Sequence, residues 1–117
     1  MAQIEIPAAW RKQVCAILAN GETGEAILWT RDAEQRYQAS PGAPWHFELY
    51  QPLADFLSQP VAKGCVVGME RPPGEAYEFF FTFKAMKFYG KILLSADGRR
   101  VVLFSAHLAL KPRLSCE

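Results

Sequence analysis

Polar side chains suited to acid–base and phosphate chemistry are concentrated near the carboxyl end of the sequence. Lys87, Tyr89 and Lys91 alternate with less polar residues, so a β-strand there would present all three on one face. Ser105 and His107 are also two residues apart, in the next β-like segment. Lysines hold anionic groups and histidine exchanges protons near neutral pH, so these five residues are the candidate catalytic residues.

Cleavage of an RNA phosphodiester is the chemistry that such a set would suit. The reaction needs a base for the 2′-hydroxyl, an acid for the leaving 5′-oxygen and cations for the phosphorane charge. His107 would be the acid or base, Tyr89 would orient the substrate, stack on a base or donate a proton, and Lys87 and Lys91 would clamp the phosphate. This scheme requires neither metal nor cofactor. An equally simple interpretation makes His107 a structural residue on a solvated sheet face. The candidate substrate-binding residues outside the cluster are Arg71, Lys84 and Arg99.

Whether the five candidates share a face depends on the hairpin that joins the last two strands. A two-residue loop at Asp97-Gly98 pairs residues whose numbers sum to 195, and His107 then points into the core opposite Phe88. A three-residue loop that starts at Ala96 lowers the sum to 194 and gathers all five on one face. We predict the three-residue loop, because it keeps His107 out of the core and buries Phe104.

The hydrophobic pattern predicts an α+β fold that would position these residues. Residues 1–60 repeat with helical spacing, and residues 64–110 alternate with a period of two. We therefore expect a single domain over residues 1–117, in which two to three N-terminal helices pack on a four-stranded antiparallel meander. The expected helices begin near Pro7, span Arg31–Gln38 behind a Thr30 cap, and span about Phe47–Ser58. The expected strands are Gly64–Glu70, Tyr77–Lys84, Lys87–Ser95 and Arg100–Leu108, with residues 26–29 either a short strand or a loop.

Charge and cysteine content set further expectations. The net charge is +1; residues 1–60 carry four cations and seven acids, which gives −3, and residues 61–117 carry nine and five, which gives +4. A polyanion partner is of interest only if those cations share a face. Three widely spaced cysteines, Cys15, Cys65 and Cys116, argue against a disulfide framework and for the reducing cytoplasm. No apolar run reaches the roughly 20 residues of a membrane helix, so no membrane association is expected.

The sheet half resembles a family of small bacterial toxins. Phe-Tyr-Gly-Lys-Ile at 88–92 and Val-Val-Leu-Phe-Ser at 101–105 are similar to segments of the RelE-like ribonuclease toxins of toxin–antitoxin systems, including the motility quorum-sensing regulator toxin. The resemblance implies a metal-independent ribonuclease with RNA as substrate and an antitoxin as protein partner, and by position it picks out Tyr89 and Lys91. The near-neutral charge departs from the strongly basic members of that group. The alternative is a non-catalytic protein-binding module, such as an immunity, inhibitor or antitoxin-like protein.

Overall fold

Three helices and one six-stranded sheet make up the structure, which is a computed structural model. It describes residues 3–19, 26–38, 46–68 and 74–117. Helix α1 spans Ala8–Ala19, α2 spans Arg31–Gln38 and α3 spans Tyr50–Leu57, preceded by a 3-10 turn at His46–Leu49. The α+β class is therefore confirmed.

Local sequence signals account for the helix starts. α1 begins directly after Pro7, whose fixed φ suits a helix start. The predicted Thr30 cap of α2 is present, because the Ala33 amide donates to Thr30 Oγ1 at 3.1 Å. Pro52 lies in the first turn of α3, where a missing N–H leaves no hydrogen bond unmade. That is why α3 starts at Tyr50 and not near Phe47.

The sheet is larger than predicted and is mixed. Its strands are β1 (Ile4–Glu5), β2 (Ile27–Trp29), β3 (Lys63–Val67), β4 (Gly74–Phe83), β5 (Met86–Ser95) and β6 (Val101–Leu108). Their spatial order is β1-β3-β4-β5-β6-β2, and β2 runs parallel to β6 while the other pairs are antiparallel. The predicted four-stranded antiparallel meander therefore lacked both edge strands. β1 was not predicted, because two residues produce no strand pattern, whereas β2 confirms the short-strand alternative for residues 26–29 but runs parallel to β6.

The two faces of the sheet differ in their covering. On one face, aromatic side chains of β4 and β5 form a single core cluster with α1 and α3, in which Phe79 and Phe88 are almost fully buried. Gly90 belongs to this packing, since a Cβ there would lie 2.9 Å from the Phe79 ring. The opposite face carries Glu78, Tyr89 and the other polar residues of the strands, and α2 and the C-terminal residues lie beside it. The site is therefore on the face away from the main core.

The register of β5 and β6 follows neither predicted hairpin alone. Next to the turn, Leu94 pairs with Val101, which is the 195 register, and the predicted three-residue loop is wrong. A β-bulge then leaves Phe104 unpaired, and beyond it Tyr89 pairs with His107 and Lys91 pairs with Ser105. The bulge reverses the facing of every later β6 residue. His107 thus stays off the core face, as predicted, but for a different reason.

A disulfide joins the end of the chain to the sheet. Cys65 on β3 and Cys116 are bonded across 51 positions of sequence, which overturns our expectation that the cysteines would be unpaired. The expectation failed because sequence spacing does not reveal that the C-terminal segment returns to β3. Cys15 carries the one free thiol among the described cysteines. None of the helices in the described ranges is long and apolar enough to cross a membrane.

Candidate functional site

A cleft of about 460 Å³ lies on the polar face of the sheet. Two cross-strand rows form its floor: Glu78, Lys91 and Ser105 lie side by side across β4, β5 and β6, and Phe80, Tyr89 and His107 form the next row. Its walls come from α2 and from the C-terminal segment, which we define as residues 109–117. The wall residues are Asp32, Arg36, Leu110, Lys111, Arg113, Leu114 and Ser115.

Glu78 is the most constrained side chain of the cleft. It is 4% exposed, and both carboxylate oxygens accept a hydrogen bond. Tyr89 Oη donates to Oε2 at 2.6 Å, and the Ser115 amide donates to Oε1 at 2.6 Å. The carboxylate therefore holds the floor of the cleft and the C-terminal segment in a fixed relation.

The hydrogen bonds around Glu78 and Tyr89 determine the protonation states of these two side chains. Burial alone would raise the pKa of Glu78, but the donors Ser115 and Tyr89 and the charge of Lys91 outweigh it and lower the pKa below 4.5. Burial raises the pKa of Tyr89, and the hydrogen bond to Glu78 and its negative charge raise it further. At neutral pH the pair is a carboxylate and a neutral phenol. The hydroxyl proton of Tyr89 is therefore engaged by the Glu78 carboxylate.

His107 lies beside Tyr89 and has one ring nitrogen committed to the backbone. The residue is 5% exposed, its ring centroid is 5.6 Å from that of Tyr89, and Nδ1 is 2.8 Å from the carbonyl oxygen of Leu108. A carbonyl oxygen only accepts, so Nδ1 carries a proton in this contact. In the neutral ring Nε2 then has the lone pair, and no described residue forms a hydrogen bond with it. Nε2 is therefore the ring nitrogen that could accept a proton.

The cleft carries more positive than negative charge. Arg36 pairs with Asp32 at 3.1 Å, and the Glu78 carboxylate is already occupied by its two donors. Lys91, Lys111 and Arg113 form no ion pair within 4 Å with any described residue. Three cations are thus available to an anionic ligand, and two of them belong to the C-terminal segment.

The structure brings four of the five candidate catalytic residues together. Tyr89, Lys91, Ser105 and His107 line the cleft, whereas Lys87 does not. The Lys87 Nζ lies 3.8 Å from the Phe80 ring centroid and donates to the carbonyl oxygen of Pro112 at 3.3 Å. The ammonium of Lys87 is thus engaged by Phe80 and Pro112 outside the group of residues that line the cleft.

The candidate substrate-binding residues do not line the cleft. Lys84 is in the turn between β4 and β5, and Arg99 is in the loop between β5 and β6. Arg71 lies outside the described residues. Two other cations, Lys111 and Arg113, which were not among the candidates, line the cleft instead.

Two functional features escaped the sequence analysis. Glu78 was not among the candidate residues, although its alternation with Phe79 and Phe81 places it on the polar face opposite Lys91. Its burial by the C-terminal segment has no local signal in the sequence.

Within the described residues, no group of three or more histidine, cysteine or acidic side chains is arranged to hold a metal ion.

Comparison of the chain with protein-family models, with curated proteins and with solved structures finds no match. The function is therefore argued from the cleft itself.

Proposed function

We propose that the chain is a metal-independent ribonuclease of the toxin type that cleaves RNA in the cleft between β5, β6 and the C-terminal segment. The observation that carries the proposal is the placement of His107 and Lys91 on the floor of one cleft by the β6 bulge. The cleft volume of about 460 Å³ is within the usual range for a ligand site. The resemblance to RelE-like toxins belongs to the same proposal and selects Tyr89 and Lys91 from this floor.

The proposed reaction is an in-line attack by the ribose on its own phosphate. His107 Nε2 takes the proton of the 2′-hydroxyl, and the 2′-oxygen forms a bond to phosphorus. The ammonium of Lys91, with Arg113 and Lys111, stabilises the added negative charge. The bond to the 5′-oxygen then breaks, and that oxygen takes a proton from water. The hydroxide that remains takes the proton from the His107 imidazolium, which returns the ring to its neutral form. The products are a 2′,3′-cyclic phosphate and a 5′-hydroxyl end.

The other floor residues position this chemistry. Tyr89, fixed by Glu78, stands beside the imidazole and limits its orientation. Phe80 continues the same row and supplies an aromatic surface on which a base stacks. Ser105, which is buried opposite Lys91, offers a hydroxyl to a phosphate oxygen.

A cleavage assay with purified protein tests the proposal. Single-stranded RNA is incubated with the oxidised protein in excess EDTA, and the cyclic phosphate end is detected by mass spectrometry. We expect His107→Asn to lower the cleavage rate by about 10²–10⁴-fold, since it removes the proton acceptor. Lys91→Met should lower the rate by about 10–10³-fold.

Lys63→Met is the matched control for the lysine variant. Lys63 is an exposed residue of β3 that does not line the cleft, so its loss should leave the rate unchanged. The His107 variant must retain the wild-type circular dichroism spectrum. Absence of cleavage by wild-type protein, or wild-type rates in correctly folded His107→Asn, would refute the ribonuclease proposal.

The cellular location forms part of the proposal. Cellular RNA is in the cytoplasm, which is the location expected from the sequence, whereas disulfides such as Cys65–Cys116 form and persist in oxidising surroundings. Because the proposed reaction uses Lys111 and Arg113 on the closed cleft, it is assigned to the oxidised form of the protein.

A second candidate function rests on a different surface. Ile4, Val61 and Val66 are 48%, 52% and 64% exposed, and all three lie on β1 and β3 or in the segment leading into β3. Exposed aliphatic residues at a sheet edge favour a non-catalytic module that binds a protein such as an antitoxin or a target enzyme. Wild-type protein that neither cleaves RNA nor slows bacterial growth on expression would support this candidate.

A further inference from the structure

The C-terminal segment forms a wall of the cleft without being a helix or strand. Ala109 extends the pairing of β6, because its amide donates to the Lys87 carbonyl at 3.0 Å. Beyond it, Leu114 is buried, and the Ser115 amide donates to Glu78. The segment thus reaches from the end of β6 across the polar face to β3.

The disulfide is the one covalent anchor of this wall among the described residues. Cys65 is 1% exposed, whereas Cys116 is half-buried. The Cys116 amide also contacts Cys65 Sγ, at 3.3 Å. The remaining anchors are a few single hydrogen bonds and the burial of one leucine, and bonds of this kind open locally when a covalent constraint is removed.

We propose that the Cys65–Cys116 disulfide is a redox latch that holds the C-terminal segment on the cleft, and that its reduction by a dithiol releases the segment while the sheet stays folded. In the oxidised form Lys111 and Arg113 line the cleft and Ser115 caps Glu78. In the reduced form the wall is free to leave, which widens the cleft and uncovers the Glu78 carboxylate.

The exchange uses a dithiol as the electron donor. Its thiolate attacks Cys116 Sγ, the more exposed sulfur, the S–S bond breaks, and Cys65 leaves as a thiolate and takes up a proton. The second thiol of the donor, as its thiolate, then attacks the mixed disulfide and displaces Cys116, which is protonated in turn. Two electrons and two protons pass to the protein, and the donor becomes a cyclic disulfide.

Amide hydrogen exchange measured by NMR tests the latch without any RNA. Exchange rates of the Leu114 and Ser115 amides are compared in oxidised protein and in protein held reduced by dithiothreitol, at one pH. We expect both amides to exchange at least about tenfold faster after reduction, because local opening no longer has to work against the cross-link. The Ala109 amide, which belongs to the β6 pairing, should change by less than about threefold.

Two variants separate the latch from the free thiol. Cys116→Ser should exchange fast at Leu114 and Ser115 with or without dithiothreitol, and Cys15→Ser should behave as wild type. Equal exchange rates of the Leu114 and Ser115 amides before and after reduction would overturn the proposal, because the segment would not have been released. An equal increase in the exchange rates of Ala109 and the sheet amides would also overturn it, because the whole fold would have opened.

The effect on RNA rests on the proposed function and is measured separately. If the latch opens the cleft, cleavage by wild-type protein changes on addition of dithiothreitol, whereas cleavage by Cys116→Ser does not respond. Faster exchange of the Leu114 and Ser115 amides after reduction, without any RNA cleavage, would support the latch proposal and refute only the ribonuclease proposal.

Discussion

Glu78 is the residue on which the polar network of the cleft depends. Glu78→Gln keeps the shape but removes the charge that accepts from Tyr89 and Ser115, and we expect it to lower the free energy of unfolding at pH 7 by about 1–3 kcal/mol. Urea unfolding of both proteins measures the difference.

The pH dependence of that difference has a definite sign. Because the folded-state pKa of Glu78 is lowered, its stabilising effect is present above about pH 4.5 and is lost as the pH falls through the folded-state value. The difference in free energy of unfolding between wild type and Glu78→Gln should therefore shrink as the pH is lowered from 7 to below 4.5. If the difference in free energy of unfolding between the two proteins were the same at the highest and the lowest pH, the charge of Glu78 would contribute nothing to stability.

At the residue scale, the alternation of side chains was sufficient to predict that four of the candidate residues lie together on one surface. Tyr89, Lys91, Ser105 and His107 are polar residues at strand spacing, and they line one cleft. The error at Lys87 arose because its long side chain bends to the Phe80 ring and the Pro112 carbonyl. Strand spacing fixes the direction of a Cβ atom but not the position of a flexible ammonium group.

The β6 bulge is the element that turns His107 toward the cleft. Phe104 is the unpaired, half-buried residue, and deleting it would restore a regular ladder in which Ser105 still faces Lys91 and His107 still faces Tyr89. We therefore expect the Phe104 deletion to fold, to lose no more than about 2 kcal/mol for the missing side chain, and to keep nuclear Overhauser contacts between the two rings. Contacts from His107 to Phe88 instead would contradict this account of the register.

The turn between β4 and β5 is a second element whose geometry predicts a measurable effect. Lys84 and Ala85 have φ of 51° and 61°, and left-handed backbone costs a residue with a Cβ about 1–2 kcal/mol. Ala85→Gly should raise the free energy of unfolding by roughly 0.5–1 kcal/mol and the melting temperature by a few degrees. Ala76→Gly, at a β4 position that does not have a positive φ, should lower both, and a lower melting temperature for Ala85→Gly would contradict the turn geometry.

At the scale of the elements, the sequence predicted individual strands and helices but not the register between β5 and β6. The aromatic alternation of β4 and the cap of α2 are strong local signals. α2 has the predicted bounds, and β4 is present but begins at Gly74, three residues before the predicted Tyr77. The register of β6 was missed because the two predicted loops assumed an uninterrupted ladder. Because of the bulge, the residues next to the turn pair in one register and the residues of the cleft pair in another. The position of the bulge depends on packing between strands.

The disulfide acts on the molecule as a whole. It closes a loop of 51 positions, and the chain-entropy argument gives a stabilisation of about 4 kcal/mol for a loop of that length. Cys116→Ser should therefore unfold at a clearly lower denaturant concentration than the oxidised wild type. Cys15→Ser, which removes only a half-buried thiol, is the control and should shift the midpoint much less. Equal midpoints for Cys116→Ser and wild type would show that the bond does not stabilise the fold.

Long-range contacts explain what the sequence did not reveal about the whole molecule. The α+β class follows from the change of hydrophobic period after residue 60, and that prediction is confirmed. The edge strands β1 and β2 have only two and three residues, and they are strands because longer neighbours pair with them. The bond between Cys65 and Cys116 likewise depends on the path of the last nine residues over the polar face.

The central claim is that RNA binds with its phosphate between His107 and Lys91. Its most direct test is an NMR titration of the oxidised protein with single-stranded RNA whose 2′-hydroxyls are methylated, so that it binds without being cleaved. The account predicts that the His107 ring protons and the Lys91 side-chain resonances shift most, and that Val61 and Val66 at the sheet edge do not shift. Shifts confined to that edge, or no shifts at all, would contradict it.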